Sequence, residues 1–218
     1  MRRGRSGRAS PIALLAGAAC LAGCGVAGHV LQQEWLAAAI TRAGTERTAT
    51  ARDTALAAYG DRAAVGLPAR VAAPLAQLAL NAARTGASPA LRALDAERAD
   101  GLIRQLRRTR PNWDATLLLV TQHELLVHGR ATPAAVEAFA ASYRERPFHA
   151  SAARWRIAFA RLYWNGLDPA TRRAAIEEAV WQTRYDNGQR DAIERLLGDT
   201  PAGVAFQLRM ASIGHGIG

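Results

Sequence analysis

Two histidines in Thr121-Gln122-His123-Glu124-Leu125-Leu126-Val127-His128 come closest to a catalytic pattern in the chain. Zinc proteases chelate their metal with His-Glu-x-x-His, where a separation of four residues puts both imidazoles on one helix face. Here the separation is five, which turns the second ring about 140° away from the first at 3.6 residues per turn. One zinc cannot take both rings on a regular helix. His123 therefore reads as a partly buried residue, and His128 as a helix-end residue before Gly129, favoured by the negative end of the dipole. Glu177 and Glu178 are adjacent, point to different sides of a helix and read as a solvated face rather than a shared acid-base pair. The absence of lysine excludes a Walker A loop and lysine-based covalent catalysis. Ser88, Ser142, Ser151 and Ser212 lack a Gly-x-Ser-x-Gly context. No catalytic, metal-ligating or cofactor-binding residue is assigned, no cofactor is expected, and the chain reads as a non-enzyme.

Two other sets of side chains carry chemistry of a binding kind. Trp113, Trp155, Trp164 and Trp181 offer flat faces that could contact a glycan or a partner, although tryptophans at helical spacing equally suit a core. Cys20 and Cys24 are the only cysteines; their spacing stacks them on one helix face, a poor geometry for a disulfide. Leu21-Ala22-Gly23-Cys24 has the form of a bacterial lipobox, with Cys24 as the lipid attachment point.

The elements that must position these residues are helices. The 218 residues are half apolar, rich in alanine and leucine and only 6% aromatic, which favours an all-α protein of one ordinary domain plus a tether. The formal charge is +10 and every basic residue is arginine. Arg2, Arg3, Arg5 and Arg8 precede the apolar run, so ten less four leaves +6 for the rest, interspersed with acids as on a solvated face. No basic stripe with interleaved aromatics exists, and no nucleic-acid partner is expected.

Residues 1–10 form a basic N-terminus, and residues 11–31 an apolar segment open to three readings: a cleaved secretory signal, a lipoprotein signal, or a membrane anchor. A bilayer span takes about 20 residues, against about 7 to 15 for a secretory core, so the length leans toward a transmembrane helix. Arginines before it and Gln32-Gln33-Glu34 after it predict a cytoplasmic N-terminus and a body outside, in all three readings. The expected location is the bacterial inner membrane, single-pass, with the C-terminal domain periplasmic; the alternative is a lipoprotein.

Residues 32–66 read as a juxtamembrane helix and linker, 67–211 as a helical-hairpin domain and 212–218 as a flexible tail. Ser88-Pro89, Thr132-Pro133, Asp168-Pro169 and Thr200-Pro201 each place an N-cap residue before a proline at the first helical position. Trp155, Phe159 and Leu162 share a face, and Ile176, Val180 and Trp181 do so in the next helix with Glu177 and Glu178 outward. Pro111 and Pro147 are separated by close to the roughly 34-residue period of tetratricopeptide repeats. The array expected is one of antiparallel, tetratricopeptide-like hairpins without the Trp-Leu-Gly-Tyr signature.

Tyr143-Arg144-Glu145-Arg146-Pro147-Phe148, Arg154-Trp155-Arg156, Leu162-Tyr163-Trp164, Leu167-Asp168-Pro169-Ala170-Thr171-Arg172 and Ala179-Val180-Trp181 resemble the C-terminal part of membrane-anchored proteins of the VpsP type. That resemblance implies a scaffold or accessory role in bacterial exopolysaccharide or O-antigen biosynthesis or export. The partners it implies are the membrane, a protein such as a polysaccharide polymerase or ligase, and a glycan. The alternatives are an envelope lipoprotein assembly factor anchored through Cys24 and a glycan-acting hydrolase or lyase; the latter would need paired carboxylates about 5 to 9 Å apart in a groove.

Overall fold

The structure is a computed structural model that describes residues 11–45, 49–59 and 67–214. The side chains of 11–17, 45, 49–52, 59, 187 and 214 lie outside that description, as do the basic residues 1–10, part of the expected linker (46–48 and 60–66) and residues 215–218 of the expected tail. Among the described residues the chain is all-helical. The helices are α1 (Pro11–Thr45), α2 (Ala49–Tyr59), α3 (Ala69–Thr85), α4 (Pro89–Thr109), α5 (Asp114–His128), α6 (Pro133–Glu145), α7 (Ala153–Leu162), α8 (Pro169–Tyr185), α9 (Arg190–Leu197) and α10 (Pro201–Gly214).

The helix starts follow from their caps. Ser88, Thr132 and Asp168 accept hydrogen bonds from the backbone N–H groups of Leu91, Ala135 and Thr171 at 3.2, 3.1 and 2.9 Å, and each precedes a proline whose missing N–H costs nothing there. Thr200 caps α10 by accepting from Gly203 N–H at 3.2 Å. Gly129, at φ +65°, ends α5 in the left-handed region that a side chain would strain. Thr132 also donates to Glu124 Oε2 at 2.6 Å, tying the end of α5 to the start of α6. Thr132→Ala is expected to lower stability by about 1 kcal/mol, read as a shift in urea midpoint with unchanged slope.

Consecutive helices pair as α3 with α4, α5 with α6 and α7 with α8, and the pairs are joined through α1–α3, α3–α5, α6–α8 and α8–α10 contacts. Short connections such as Gly86–Ser88 make the paired helices hairpins. Among the described residues the core is in three parts. One lies among α1 to α5 around Ile40, Leu56, Leu75, Leu78, Leu102, Leu106 and Leu119. A second joins α6, α7 and α8 through Phe139, Tyr143, Phe159 and Ala175. A third joins α7 to α10 through Ile157, Ile176, Val180, Ile193 and Phe206.

Several expectations are corrected. Among the described residues no helix is long and apolar enough to cross a membrane, so the transmembrane helix expected over 11–31 is not supported. From Ala18 onward the helix is diluted by alanine and glycine, and His29, Gln32, Gln33 and Glu34 follow. From Thr41 the chain ends a helix: α1 runs unbroken to Thr45, Ile40 is buried against α3, and α2 lies within the expected 32–66 segment with Leu56 buried. Leu162 does not share the core face of Trp155 and Phe159; it is 68% exposed at the end of α7. Glu178 does not face outward but is fully buried, because a guanidinium waits for it inside. The expected tail also begins later than residue 212, since α10 continues to Gly214.

Candidate functional site

A cavity of about 620 Å³ opens between the C-terminal half of α1, α3, α5 and the turn that leads into α7. Its apolar lining comes from Ile40, Leu78, Leu118 and Leu119, with Trp113 and Trp155 at its sides. Gln77 of α3 and Gln122 of α5 face each other across it as a reciprocal amide pair, each Nε2 donating to the other's Oε1, at 2.8 and 3.0 Å. Gln77 also donates to Asn81 Oδ1 at 3.3 Å, and Arg84 donates to the same oxygen at 2.5 Å. An apolar pocket with a few convergent polar groups is the form that ligand sites take.

The helix periodicity of α3 explains the placement. Arg70, Ala73, Pro74, Gln77, Asn81 and Arg84 recur at intervals of one to four, so one stripe of α3 faces the cavity while Val71, Leu75, Ala79 and Ala82 are buried beside it. Arg70 is ion-paired with the exposed Glu34 of α1, which ties α3 to α1 beside the cavity.

The turn Phe148–Ala152 forms another wall through His149, Ser151 and Ala152. His149 Nε2 lies 3.3 Å from Asp114 Oδ2, and Ser151 Oγ lies 3.2 Å from His149 Nδ1. Arg146 reaches the same Asp114 oxygen at 3.5 Å. Burial pushes the His149 pKa below its ordinary value, the Arg146 guanidinium adds to that push, Asp114 opposes it and the more distant Arg156 adds a little. The imidazole is therefore neutral at neutral pH, able to donate from one nitrogen to Asp114 and accept from Ser151 at the other. Its contribution to stability is complete above its unfolded pKa of about 6.5 and is lost as pH falls through its lower folded pKa. Thermal melts between pH 7.5 and 4.5 are expected to fall less steeply for His149→Asn than for the native chain.

What holds the turn is a buried ionic network. Arg156 and Glu178 are both 0% exposed, with Arg156 Nε 3.1 Å from Glu178 Oε2. The Nε–H is not aimed to make a hydrogen bond, so this contact is an ion pair only. The rest of the guanidinium is spent on the backbone: Arg156 donates to the carbonyl oxygens of Arg146 and Pro147 at 2.9 and 3.3 Å. Glu178 accepts from Tyr143 Oη–H and from the His149 backbone N–H, both at 2.9 Å. The guanidinium also sits 3.5 Å over the Tyr143 ring. Burial raises the Glu178 pKa, against the pull of Arg156 and the two donors, and burial beside Glu178 raises Tyr143 well above its ordinary value.

The structure thus brings together Trp113 and Trp155 of the four expected tryptophans. Trp155 packs at 5.6 Å against Phe159 and borders both the cavity and a smaller adjoining one of about 250 Å³. Trp164 lies elsewhere, with Arg172 at 5.7 Å over its ring. Trp181 stacks on Tyr185 at 5.1 Å and meets Phe148 at 5.5 Å. His123 and His128 do not converge: they face Asp100 at 3.8 Å and Glu124 at 3.6 Å respectively. No cluster of metal-ligating side chains occurs among the described residues. Cys24 is exposed on α1. Sequence context does not single out Gln77, Gln122 and His149 as cavity groups, or Asp114 behind them, since their partners lie 35 to 45 positions away. Comparison with protein-family models, with curated proteins and with solved structures finds no match to this chain.

Proposed function

We propose that this chain is a non-enzymatic scaffold of tetratricopeptide-like hairpins, held at the bacterial cell envelope with its helical body in the periplasm. There it serves exopolysaccharide or O-antigen biosynthesis or export, holding a glycan segment beside a polymerase or ligase. The observation that carries the reading is the double use of α1. Residues 18–32 are exposed and mostly apolar or small, whereas Ala37, Ile40, Thr41 and Gly44 of the same helix line the cavity between Trp113 and Trp155. A segment suited to tethering and a wall of a ligand-sized cavity are one continuous element.

The attachment we assign is a lipid on Cys24, in the Leu21-Ala22-Gly23-Cys24 box. Cys24 and Ile40 are about 24 Å apart along a regular helix, so the exposed stretch supplies the spacer that a lipidated cysteine needs. Metabolic labelling with palmitate is expected on the native chain and not on Cys24→Ala. Co-purification with a polysaccharide polymerase or ligase, and loss of polymer in a deletion strain, are the functional outcomes expected; unchanged polymer in that strain overturns the reading.

One observation favours a second reading, a hydrolase acting on glycan substituents. His149 and Ser151 line the cavity wall with the buried Asp114 behind His149, giving the order carboxylate, imidazole, hydroxyl ahead of the N-terminus of α7. Among the described residues no carboxylate pair lines the cavity, so the bond attacked would be an ester rather than a glycosidic one. Covalent labelling of Ser151 by a fluorophosphonate would favour this reading over the scaffold.

A further inference from the structure

The charges around the cavity are one-sided. Among the described residues Arg70 and Arg84 line it as cations beside the neutral His149, and neither aspartate nor glutamate does. Arg70 is already answered by Glu34 across α1 and α3. Arg84 is not answered in kind. The bond it makes to Asn81 Oδ1 is to a neutral amide, and its guanidinium stands exposed where the main and the adjoining cavities meet, a junction it shares with Gln122 and Trp155. A guanidinium set on an amide beside an indole is prepared for an anion that arrives with an apolar ring face.

The remaining lining narrows the class of ligand. Two indoles and the leucines suit a body with apolar faces, while Gln77, Gln122 and Asn81 supply donors and acceptors for hydroxyl groups around an edge. Their mutual pairing is neutral and exchangeable, so hydroxyls can replace it without stranding a charge. A pyranose ring has that combination of faces and edge.

The geometry points to the cavity as a binding site for an acidic saccharide, a sugar bearing an anionic group, with Arg84 on the anion, Trp155 against a ring face and the Gln77–Gln122 pair on the hydroxyls. This rests on the glycan-holding role proposed above and gives it a substrate class. The anion is a carboxylate or a phosphate ester, since a guanidinium fork fits both.

Titration of the purified full chain, followed by tryptophan fluorescence and calorimetry, tests it with three probes: a glucuronic-acid-containing tetrasaccharide, mannose 6-phosphate and a neutral tetrasaccharide of glucose. At least one anionic probe is expected to bind about 10-fold or more tightly than the neutral one, and which of the two does so identifies the anion. Arg84→Gln, at an exposed position that leaves the core intact, is expected to remove that preference while its circular dichroism and urea midpoint stay native. Equal binding of neutral and anionic probes, a preference that survives in Arg84→Gln, or no saccharide binding at all overturns the inference. The first two outcomes leave the glycan-holding role standing and remove only its anionic class; absence of all saccharide binding counts against glycan holding as well, while the envelope role is read separately from polymer levels in the deletion strain.

Discussion

Replacing Arg156 by methionine lowers the stability of the fold by about 3–5 kcal/mol, because it leaves the Glu178 carboxylate buried without its ion partner. The loss is read as a drop in urea midpoint, and as a fall in melting temperature at roughly 2–4 °C per kcal/mol for a chain of this size. The variant also carries a pH signature. Glu178 already has a raised pKa in the native fold, and without the guanidinium it rises further. A carboxyl raised in this way contributes fully below its unfolded pKa and loses its contribution as pH climbs through the folded value. Arg156→Met is therefore expected to recover part of its deficit on mild acidification. Adding Glu178→Gln recovers part of it at neutral pH, since the neutral amide strands no charge: its oxygen can keep the bond from the His149 N–H, and its NH2 can donate to Tyr143 Oη, the two contacts falling on different carboxylate oxygens in the native chain. If the single variant melts like the native chain at neutral pH, the pair is not what holds the turn.

The second large effect is expected at Phe139. Its ring is fully buried and meets Phe159 at 4.3 Å, Tyr143 at 5.3 Å and Trp155 at 6.4 Å, the last two edge-on. Phe139→Ala is expected to cost about 3–5 kcal/mol, as the ring's contacts and the void it leaves are lost together. Phe139→Leu keeps most of the volume and is expected to cost distinctly less, so the pair of variants separates cavity formation from aromatic geometry. The functional consequence follows from Trp155, whose inner neighbour is removed. Any ligand affinity that depends on that indole is expected to weaken in the alanine variant even at temperatures where the fold remains intact.

The sequence announces some of this and hides the rest, for identifiable reasons. The helix starts at Pro89, Pro133, Pro169 and Pro201 are legible because capping is local: the capping side chain and the N–H it accepts from lie three residues apart. The hairpins are legible from the spacing of the breaks. The interior position of Glu178 is not, since its partner Arg156 lies 22 positions earlier on another helix and nothing local distinguishes it from its neighbour Glu177, which does reach solvent and pairs with Arg209 at 2.6 Å. Trp113 and Trp155 meet at one cavity while Trp164 and Trp181 do not, although all four read alike as aromatic residues on helices. The apolar stretch beginning at Pro11 suggests a span by length, yet length says nothing of how α1 continues, and its continuation to Thr45 as part of the core is a tertiary fact.

That continuation makes α1 a mechanical element. A single helix runs from the exposed end at Cys24 to the cavity wall at Ala37, Ile40, Thr41 and Gly44, pinned to α3 by the Arg70–Glu34 pair and by Ile40. With the proposed attachment at Cys24 and the proposed ligand in the cavity, a pull or twist applied near Cys24 would be carried along the rod to the wall, and the ligand would push back along the same rod. Such a coupling would be reciprocal by thermodynamic necessity: load on the outer end would change occupancy of the cavity, and occupancy would change the load the outer end bears.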